Sequence, residues 1–479
     1  MNYSIIRYIL CRVLEFQAVF LALPCIASLV YREKEGWAYA IVLAGCLLAG
    51  VVGKMKKPKS TVFYAREGFV TVSLSWIILS LTGALPLFLS GEFPSYTDAL
   101  FETISGLTTT GASILPDVEA LSKCNLFWRS FTHWIGGMGV LVLILAVLPL
   151  AGGYNMHLMR AESPGPTVGK LVPRVKYTAR NLYKMYVVLT VVQIVLLLVS
   201  GMSPFESMTL SFGTAGTGGF GVLNSSIGSY PMVSQAIITV FMILFGINFN
   251  VYYLIWTKKP LQALRHEEMR YYLGIILGAI LLITINIQGS FHSLLDAVHH
   301  AAFQVASIIT TTGYSTADFN QWPEFSKFVL VLLMFVGACA GSTGGGIKVS
   351  RIVIMLKLVK NELSYLIHPK RVRQIHFEKH VVNKDVLRSI SVFFIAYAMV
   401  YGASVLFISL DELDFTTNFT AVAATLNNIG PGLGQVGPAE NFAVYSQPAK
   451  YVLMFDMLAG RLELFPILLL FTPSTWKRR

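Results

Sequence analysis

The sequence predicts an all-α integral membrane protein. Two N-terminal spans precede four repeats of a span, a short re-entrant helix, an extended loop and a second span, set in pseudo-fourfold arrangement. Three observations carry this expectation. Long apolar runs recur along the chain, basic residues gather in alternate connecting segments, and one short motif returns in every repeat. The motif is plainest in GLTTTGAS at 106–113 and IITTTGYS at 308–315.

Of the 479 residues, 54% are hydrophobic and 13% charged, and mean hydropathy is +0.63. A soluble domain carries about 25% charged residues. A helix crosses the hydrocarbon layer with roughly 20 apolar residues. The runs that approach this length are 8–30, 37–53, 69–90, 134–151, 185–201, 233–256, 271–287, 326–340, 390–410 and 451–471. Ten spans are therefore expected. The first run is long, follows Arg7, contains Arg12 and lacks a small-x-small cleavage site, so it reads as a span and not as a signal peptide. The resulting division is 1–66 for the two leading spans, then repeats at 67–152, 153–257, 258–372 and 373–479.

Cys11, Cys25, Cys46, Cys124 and Cys339 contain no CxxC pair and imply no disulfide framework. The adjacent His299 and His300 leave metal binding open, although polar residues near a helix start account for them as well. The net charge of +12 would suit a nucleic-acid partner in total but not in distribution. With the amino terminus inside, the segments around 1–12, 54–66, 160–184, 258–270, 351–388 and 477–479 hold most of the 37 Lys and Arg residues. That is the positive-inside bias of cytoplasmic segments, so both termini are expected in the cytoplasm. The outer loops hold Arg32, Lys34, Lys123, Arg129, Lys327 and Lys450, outnumbered by acidic residues such as Glu92, Asp98, Glu102, Asp117 and Asp414. A negative outer mouth would concentrate cations.

Four segments align without gaps: DALFETISGLTTTG at 98–111, ESMTLSFGTAGTGG at 206–219, HAAFQVASIITTTG at 300–313 and TNFTAVAATLNNIG at 417–430. Each begins polar, runs apolar for two turns and ends in small or hydroxylic residues before a glycine. None is long enough to span. Non-helical backbone is tolerated at membrane depth only where it is buried or lines a wet cavity. Four such loops meeting at one axis could present a ring of carbonyl oxygens that replaces the hydration shell of an alkali cation. The partly negative C-terminal end of each short helix would favour the same charge. Small residues in tight helix packing are the alternative for any single loop.

Two further features lie at membrane depth. GACAGSTGGGIK at 337–348 interrupts an apolar run, and glycine costs about 1 kcal/mol relative to alanine within a helix. The stretch is not a phosphate-binding loop, because Ile347 occupies the lysine position and no strand precedes it. Arg461 lies inside the last span, where an ionisable residue usually faces a cavity or a partner. Asp456 and Glu463 are near enough in sequence for an ion pair.

The motifs GLTTTGAS, TGGFG, TTTGYSTADF, GACAGSTGGGIKVSRI, ATLNNIGPGLG and MLAGRLELF resemble those of the Trk/Ktr/HKT superfamily of potassium transporters, and most closely its bacterial TrkH-type membrane subunit. The resemblance covers about 98–472 and implies a potassium-selective, channel-like pore. It also implies a homodimer in the inner membrane, in contact with lipid, and gating by a cytoplasmic nucleotide-binding ring of the TrkA type. Potassium would be the bound and transported ion, with no organic cofactor. It places filter glycines at Gly111, Gly313 and Gly430, and glycine in the first loop goes with potassium over sodium. The second loop offers both Gly216 and Gly219, and equal spacing from the helix start favours Gly219.

The implied filter comprises Thr108, Thr109, Thr110, Gly111 and Ala112; Thr217, Gly218, Gly219 and Phe220; Thr311, Thr312, Gly313 and Tyr314; and Asn428, Ile429, Gly430 and Pro431. The implied gate loop contains Gly337, Gly341, Ser342, Thr343, Gly344, Gly345, Gly346 and Lys348, with Arg461 as a charge barrier below the filter. The basic segments at 157–180 and 368–380 would dock the regulatory partner or anionic lipid. No catalytic constellation is visible. The alternatives are a potassium symporter coupled to sodium or protons, for which Asp456, Glu463 and Glu15 are the carboxylates at hand, and an enzyme or scaffold in which the repeats merely pack.

Overall fold

A computed structural model describes residues 1–56, 58, 64–139, 175–369 and 374–477. The leading pair, α1 (Tyr3–Tyr31) and α2 (Gly36–Lys54), packs along its length after a turn at Arg32 in the left-handed region. The first unit follows as α3 (Ala65–Leu89), α4 (Tyr96–Leu107) and α5 (Lys123–Gly137). The second is α6 (Val175–Val199), α7 (Pro204–Gly216), α8 (Met232–Phe245), α9 (Phe249–Trp256) and the short α10 (Pro260–Leu264). The third is α11 (Glu267–Ile287), α12 (Leu294–Ile309), α13 (Glu324–Val336) and α14 (Val349–Ile367). An antiparallel hairpin of β1 (His376–Phe377) and β2 (His380–Val381) leads into the fourth: α15 (Lys384–Ile408), α16 (Phe415–Leu426), α17 (Gln447–Arg461), α18 (Phe465–Leu468) and α19 (Pro473–Trp476). That hairpin departs from a wholly helical chain.

Among the described residues, six helices are long and apolar enough to cross a membrane, or seven if the bent pair α8–α9 counts as one. The other expected spans fall on the broken helices around 326–340 and 451–471 and on 134–151, most of which lies outside the described residues. One break was expected, at 337–348. The structure adds a 90° bend between α8 and α9, where Asn248 restarts the helix by accepting from Asn250 N. It adds another at 462–464, where Glu463 and Leu464 take φ of 55° and 66°. Pro466 begins the next turn there and cannot donate to a continuing helix. In the first unit α5 starts at Lys123, before the expected 134, and the remainder of 134–151 lies outside the described residues from 140 onward.

The packing is cyclic. α5 lies on α7, α8 on α12, α13 on α16 and α17 on α4, so each second span touches the short helix of the next unit and the last returns to the first. The short helices are enclosed. In α16, residues 417, 418 and 420–426 are all buried. The long spans turn apolar side chains outward instead: Val188, Val191 and Val195 of α6, and Leu277 and Leu281 of α11, are at least half exposed. Apolar surface of this kind is stable against lipid and unstable against water.

Candidate functional site

The short helices share one construction. Each begins at an oxygen-bearing N-cap that accepts a backbone N–H three residues on: Ser95 from Asp98, Ser203 from Glu206, Ser293 from Asp296 and Asp414 from Thr417. Such caps satisfy otherwise orphaned donors of the first turn. Each helix then closes on the same bond, 2.8 Å long, spanning five residues: Thr110 N to Ser105 O, Gly218 N to Gly213 O, Thr312 N to Ser307 O and Ile429 N to Ala424 O. The residue before each donor is left-handed, with φ of 57° at Thr109, 56° at Thr217, 57° at Thr311 and 56° at Asn428. Two residues later comes a glycine, with φ of 80° at Gly111, 80° at Gly219, 86° at Gly313 and 103° at Gly430. Gly219, not Gly216, therefore occupies the equivalent position. Gly216 sits within α7 against His133.

These glycines are adjacent as well as alike. A β-carbon at Gly111 would collide with Gly218 O, one at Gly219 with Thr312 O, and one at Gly313 with Ile429 O. At Gly430 it would stand 2.8 Å from Thr110 O, which closes the circuit. Gly111, Gly219, Gly313 and Gly430 all line one open cavity of about 150 Å³. At its rim Asn224 donates to Asp117 at 2.8 Å, which holds that carboxyl below its ordinary range.

The loop hydroxyls brace the same turns. Thr108 and Thr110 lie 2.8 Å apart through their Oγ1 atoms, as do Thr310 and Thr312. Asn428 Nδ2 bridges to Thr110 Oγ1 and Met457 O, each at 2.9 Å. Ala112, Phe220, Tyr314 and Ile429 are buried. Tyr314 donates to Leu210 O at 3.1 Å, so its ring packs behind the loops.

The 337–348 loop packs against this ring. Gly345 N donates to Thr311 Oγ1 at 2.6 Å. A β-carbon at Gly345 would be 2.5 Å from Asn427 O, and one at Gly344 would be 2.9 Å from Thr310 O. The loop is also tied to the bend of the second unit, through Cys339 N to Gly246 O at 3.1 Å and Phe249 N to Gly341 O at 3.0 Å. Lys348 is buried, takes φ of 83° and donates to Gly344 O. Arg461 joins three parts of the site. It donates to Thr109 Oγ1 at 3.2 Å, to Thr343 O at 3.0 Å, and to Gly136 O and Gly137 O, the latter at 2.8 Å.

Of the three carboxylates noted from sequence, Glu463 pairs with Arg351 at 2.5 Å, and Glu15 pairs with Arg12 at 2.9 Å and Lys54 at 2.7 Å. Asp456 accepts from Ser404 Oγ at 2.7 Å. His299 reaches Gln235 Oε1 at 2.7 Å and His300 reaches Thr316 Oγ1 at 2.9 Å. Among the described residues no group of three or more His, Cys, Asp or Glu could hold a metal ion. The basic segment 157–180 lies outside the described residues up to 174, and 368–380 does so at 370–373.

Two residues escaped sequence reasoning. Arg129, read there as an outer-loop cation, is a buried residue of α5 paired with Glu102 at 2.6 Å. Its guanidinium lies 4.2 Å from the Phe220 ring centre, while Glu102 also accepts from Ser113 Oγ at 2.9 Å and Ile114 N at 3.1 Å. His133 is buried between Gly106 O, at 2.8 Å from Nδ1, and Phe220 N, which donates to Nε2 at 3.2 Å. It thereby spaces the first two loops. Neither residue sits in a recurring motif, so only a search for polar residues on the buried face of α5 would have found them.

The TrkH model, described as a cation transport protein, matches residues 38–478. A potassium uptake protein TrkH of the Trk system from Salmonella typhimurium is 38% identical over 465 residues, covering 95% of each chain. The TrkH of Vibrio parahaemolyticus is 37% identical over 484 residues, covering 99% of each. The crystal structure of the potassium transporter TrkH from Vibrio parahaemolyticus superposes with a TM-score of 0.89 at 34% identity, covering 100% of both chains. With several apolar spans and transporters rather than enzymes as relatives, the chain is a multi-pass membrane transport protein and belongs to the TrkH family.

Proposed function

We propose that this chain is the membrane subunit of a potassium uptake system and conducts potassium through a channel-like pore on a pseudo-fourfold axis. The filter comprises 108–112, 217–220, 311–314 and 428–431. The observation that carries this reading is the closed circuit of contacts from Gly111 to Gly218, Gly219 to Thr312, Gly313 to Ile429 and Gly430 to Thr110. Four loops in one backbone conformation around one cavity can aim carbonyl oxygens at a common point and replace the water of a monovalent cation. Positive φ at each glycine frees the backbone for that geometry.

The 337–348 loop lies against the cytoplasmic end of this filter and is the gate. Arg461, between Thr109 and Thr343, adds a positive charge that raises the barrier to cations leaving the filter. Family membership supports a homodimer in the inner membrane with both termini cytoplasmic, and a nucleotide-binding ring docked on the basic face. An inside-negative potential drives the ion inward, so the chain needs no chemistry of its own.

Purified protein in liposomes tests the filter. Gly111→Ser puts a side chain onto Gly218 O at a φ that non-glycine residues rarely adopt. The expected result is a lower ratio of rubidium to sodium flux. An unchanged ratio in correctly inserted protein would remove residue 111 from the filter. A reversal potential that follows potassium alone would separate conduction from coupled symport.

A further inference from the structure

Next to the 337–348 loop, one carboxylate serves three separate parts of the structure. Glu268, the second residue of α11, is 2% exposed. Its Oε1 accepts from Ala340 N in the loop at 2.7 Å and from Ser350 N in the first turn of α14 at 3.1 Å. Its Oε2 accepts from Asn248 Nδ2, at the bend between α8 and α9, at 3.4 Å. Hydrogen bonds to a carboxylate are roughly twice as strong as neutral ones. A single side chain thus fixes both ends of the loop relative to the second unit.

The backbone of the same residue is held from the other side. Glu268 N donates to Glu378 Oε1 at 3.0 Å, and that oxygen is 2.9 Å from His266 Nδ1. Glu378 N donates to Glu267 Oε2 at 3.0 Å. Glu267 also pairs with Lys357, whose Nζ donates to His376 O at 2.8 Å. The hairpin of β1 and β2 is therefore clamped to the first turn of α11, and Phe377 anchors it in the core that includes Val353 and Ile354. From hairpin to loop the chain of contacts is continuous: Glu378, the Glu268 backbone, the Glu268 carboxylate, Ala340.

We propose that Glu268 is a positioning residue that holds the 337–348 loop in its obstructing place, and that the 376–381 hairpin is the lever by which movement on the cytoplasmic side reaches the loop. The inference rests on the pore-and-gate reading above. Pulling the hairpin displaces the start of α11, and with it the carboxylate that collects Ala340, Ser350 and Asn248. Weakening the carboxylate frees the loop without touching the filter.

Rubidium flux into liposomes, together with maleimide labelling of the native Cys339, tests this. Cys339 lies in the loop and is 0% exposed, so its labelling reports loop release independently of conduction. Glu268→Gln replaces a charged acceptor by a neutral one and is expected to raise basal flux about tenfold, speed Cys339 labelling and leave the rubidium-to-sodium ratio unchanged. Misfolding cannot produce that combination. Glu268→Asp should lie between parent and Glu268→Gln, and Glu378→Gln should move both readouts in the same direction by less. Should Glu268→Gln insert poorly, Asn248→Asp sets a second carboxylate against Glu268 and should open the loop equally. Deleting 341–346 is the control. If the deletion raises flux while Glu268→Gln and Asn248→Asp match the parent, the positioning role is wrong and the gate stands. If the deletion also leaves flux unchanged, the gate reading itself fails.

Discussion

At residue scale, Arg129 sets a buried guanidinium 2.6 Å from the Glu102 carboxylate and over the Phe220 ring, beside the cavity that Gly111, Gly219, Gly313 and Gly430 line. A lone cation there would repel the proposed permeant ion. Pairing cancels the charge, and the pair also holds Ser113 and Ile114 just beyond Gly111. Breaking one side of a buried pair typically costs about 3–5 kcal/mol, because the remaining charge stays buried without its partner. Arg129→Gln should therefore lower the thermal unfolding midpoint in detergent markedly, and the double variant Glu102→Gln/Arg129→Gln should recover much of the loss. Equal midpoints for Arg129→Gln and parent would show that the pair contributes nothing to stability.

At the scale of elements, the second spans stop where the site needs them to stop. α8 bends by 90° into α9, α13 gives way to the 337–348 loop, and α17 ends at Arg461 before Pro466. These interruptions bring Gly246 to Thr310, Gly345 to Thr311 and Arg461 to Thr109 at the short-helix ends, where a continuous wall would keep them apart. Only the break at 337–348 was legible in sequence, because its glycine density is too high for a helix, whereas GIN at 246–248 and GRLEL at 460–464 look helical by composition. At the first, Gly246 O accepts from Cys339 N of the loop, and at the second Pro466 cannot donate to a continuing helix. Removing 341–346 from the loop should raise basal rubidium flux in liposomes. A stably inserted deletion that conducts no more than the parent would count against a gate in this position.

At the scale of the whole molecule, the cyclic packing of α5 on α7, α8 on α12, α13 on α16 and α17 on α4 sets the four short helices around one centre. Under the proposed function, conduction through that centre is passive. A potential of 100 mV is worth about 2.3 kcal/mol per charge, or roughly a fiftyfold accumulation. Liposomes held at an inside-negative potential by a protonophore and a pH gradient should accumulate rubidium toward that ratio and release it when the potential is collapsed. Accumulation indifferent to potential would contradict passive conduction.

The sequence by itself determined the membrane class and the four short helices, and equal spacing from the helix start already favoured Gly219 over Gly216 in the second loop. These follow from apolar run length and from the recurring polar start, two apolar turns and closing glycine, which are properties of neighbouring residues. Helix starts at Ser95, Ser203, Ser293 and Asp414 are local in the same way. Only the tertiary structure decided that Arg129 turns inward to Glu102, that Arg461 reaches Thr109 and Thr343, and that Glu268 collects three elements on one carboxylate. Each of these joins residues far apart in the chain. The charge or hydroxyl that settles each lies on the partner element, so the segment alone carries no sign of it.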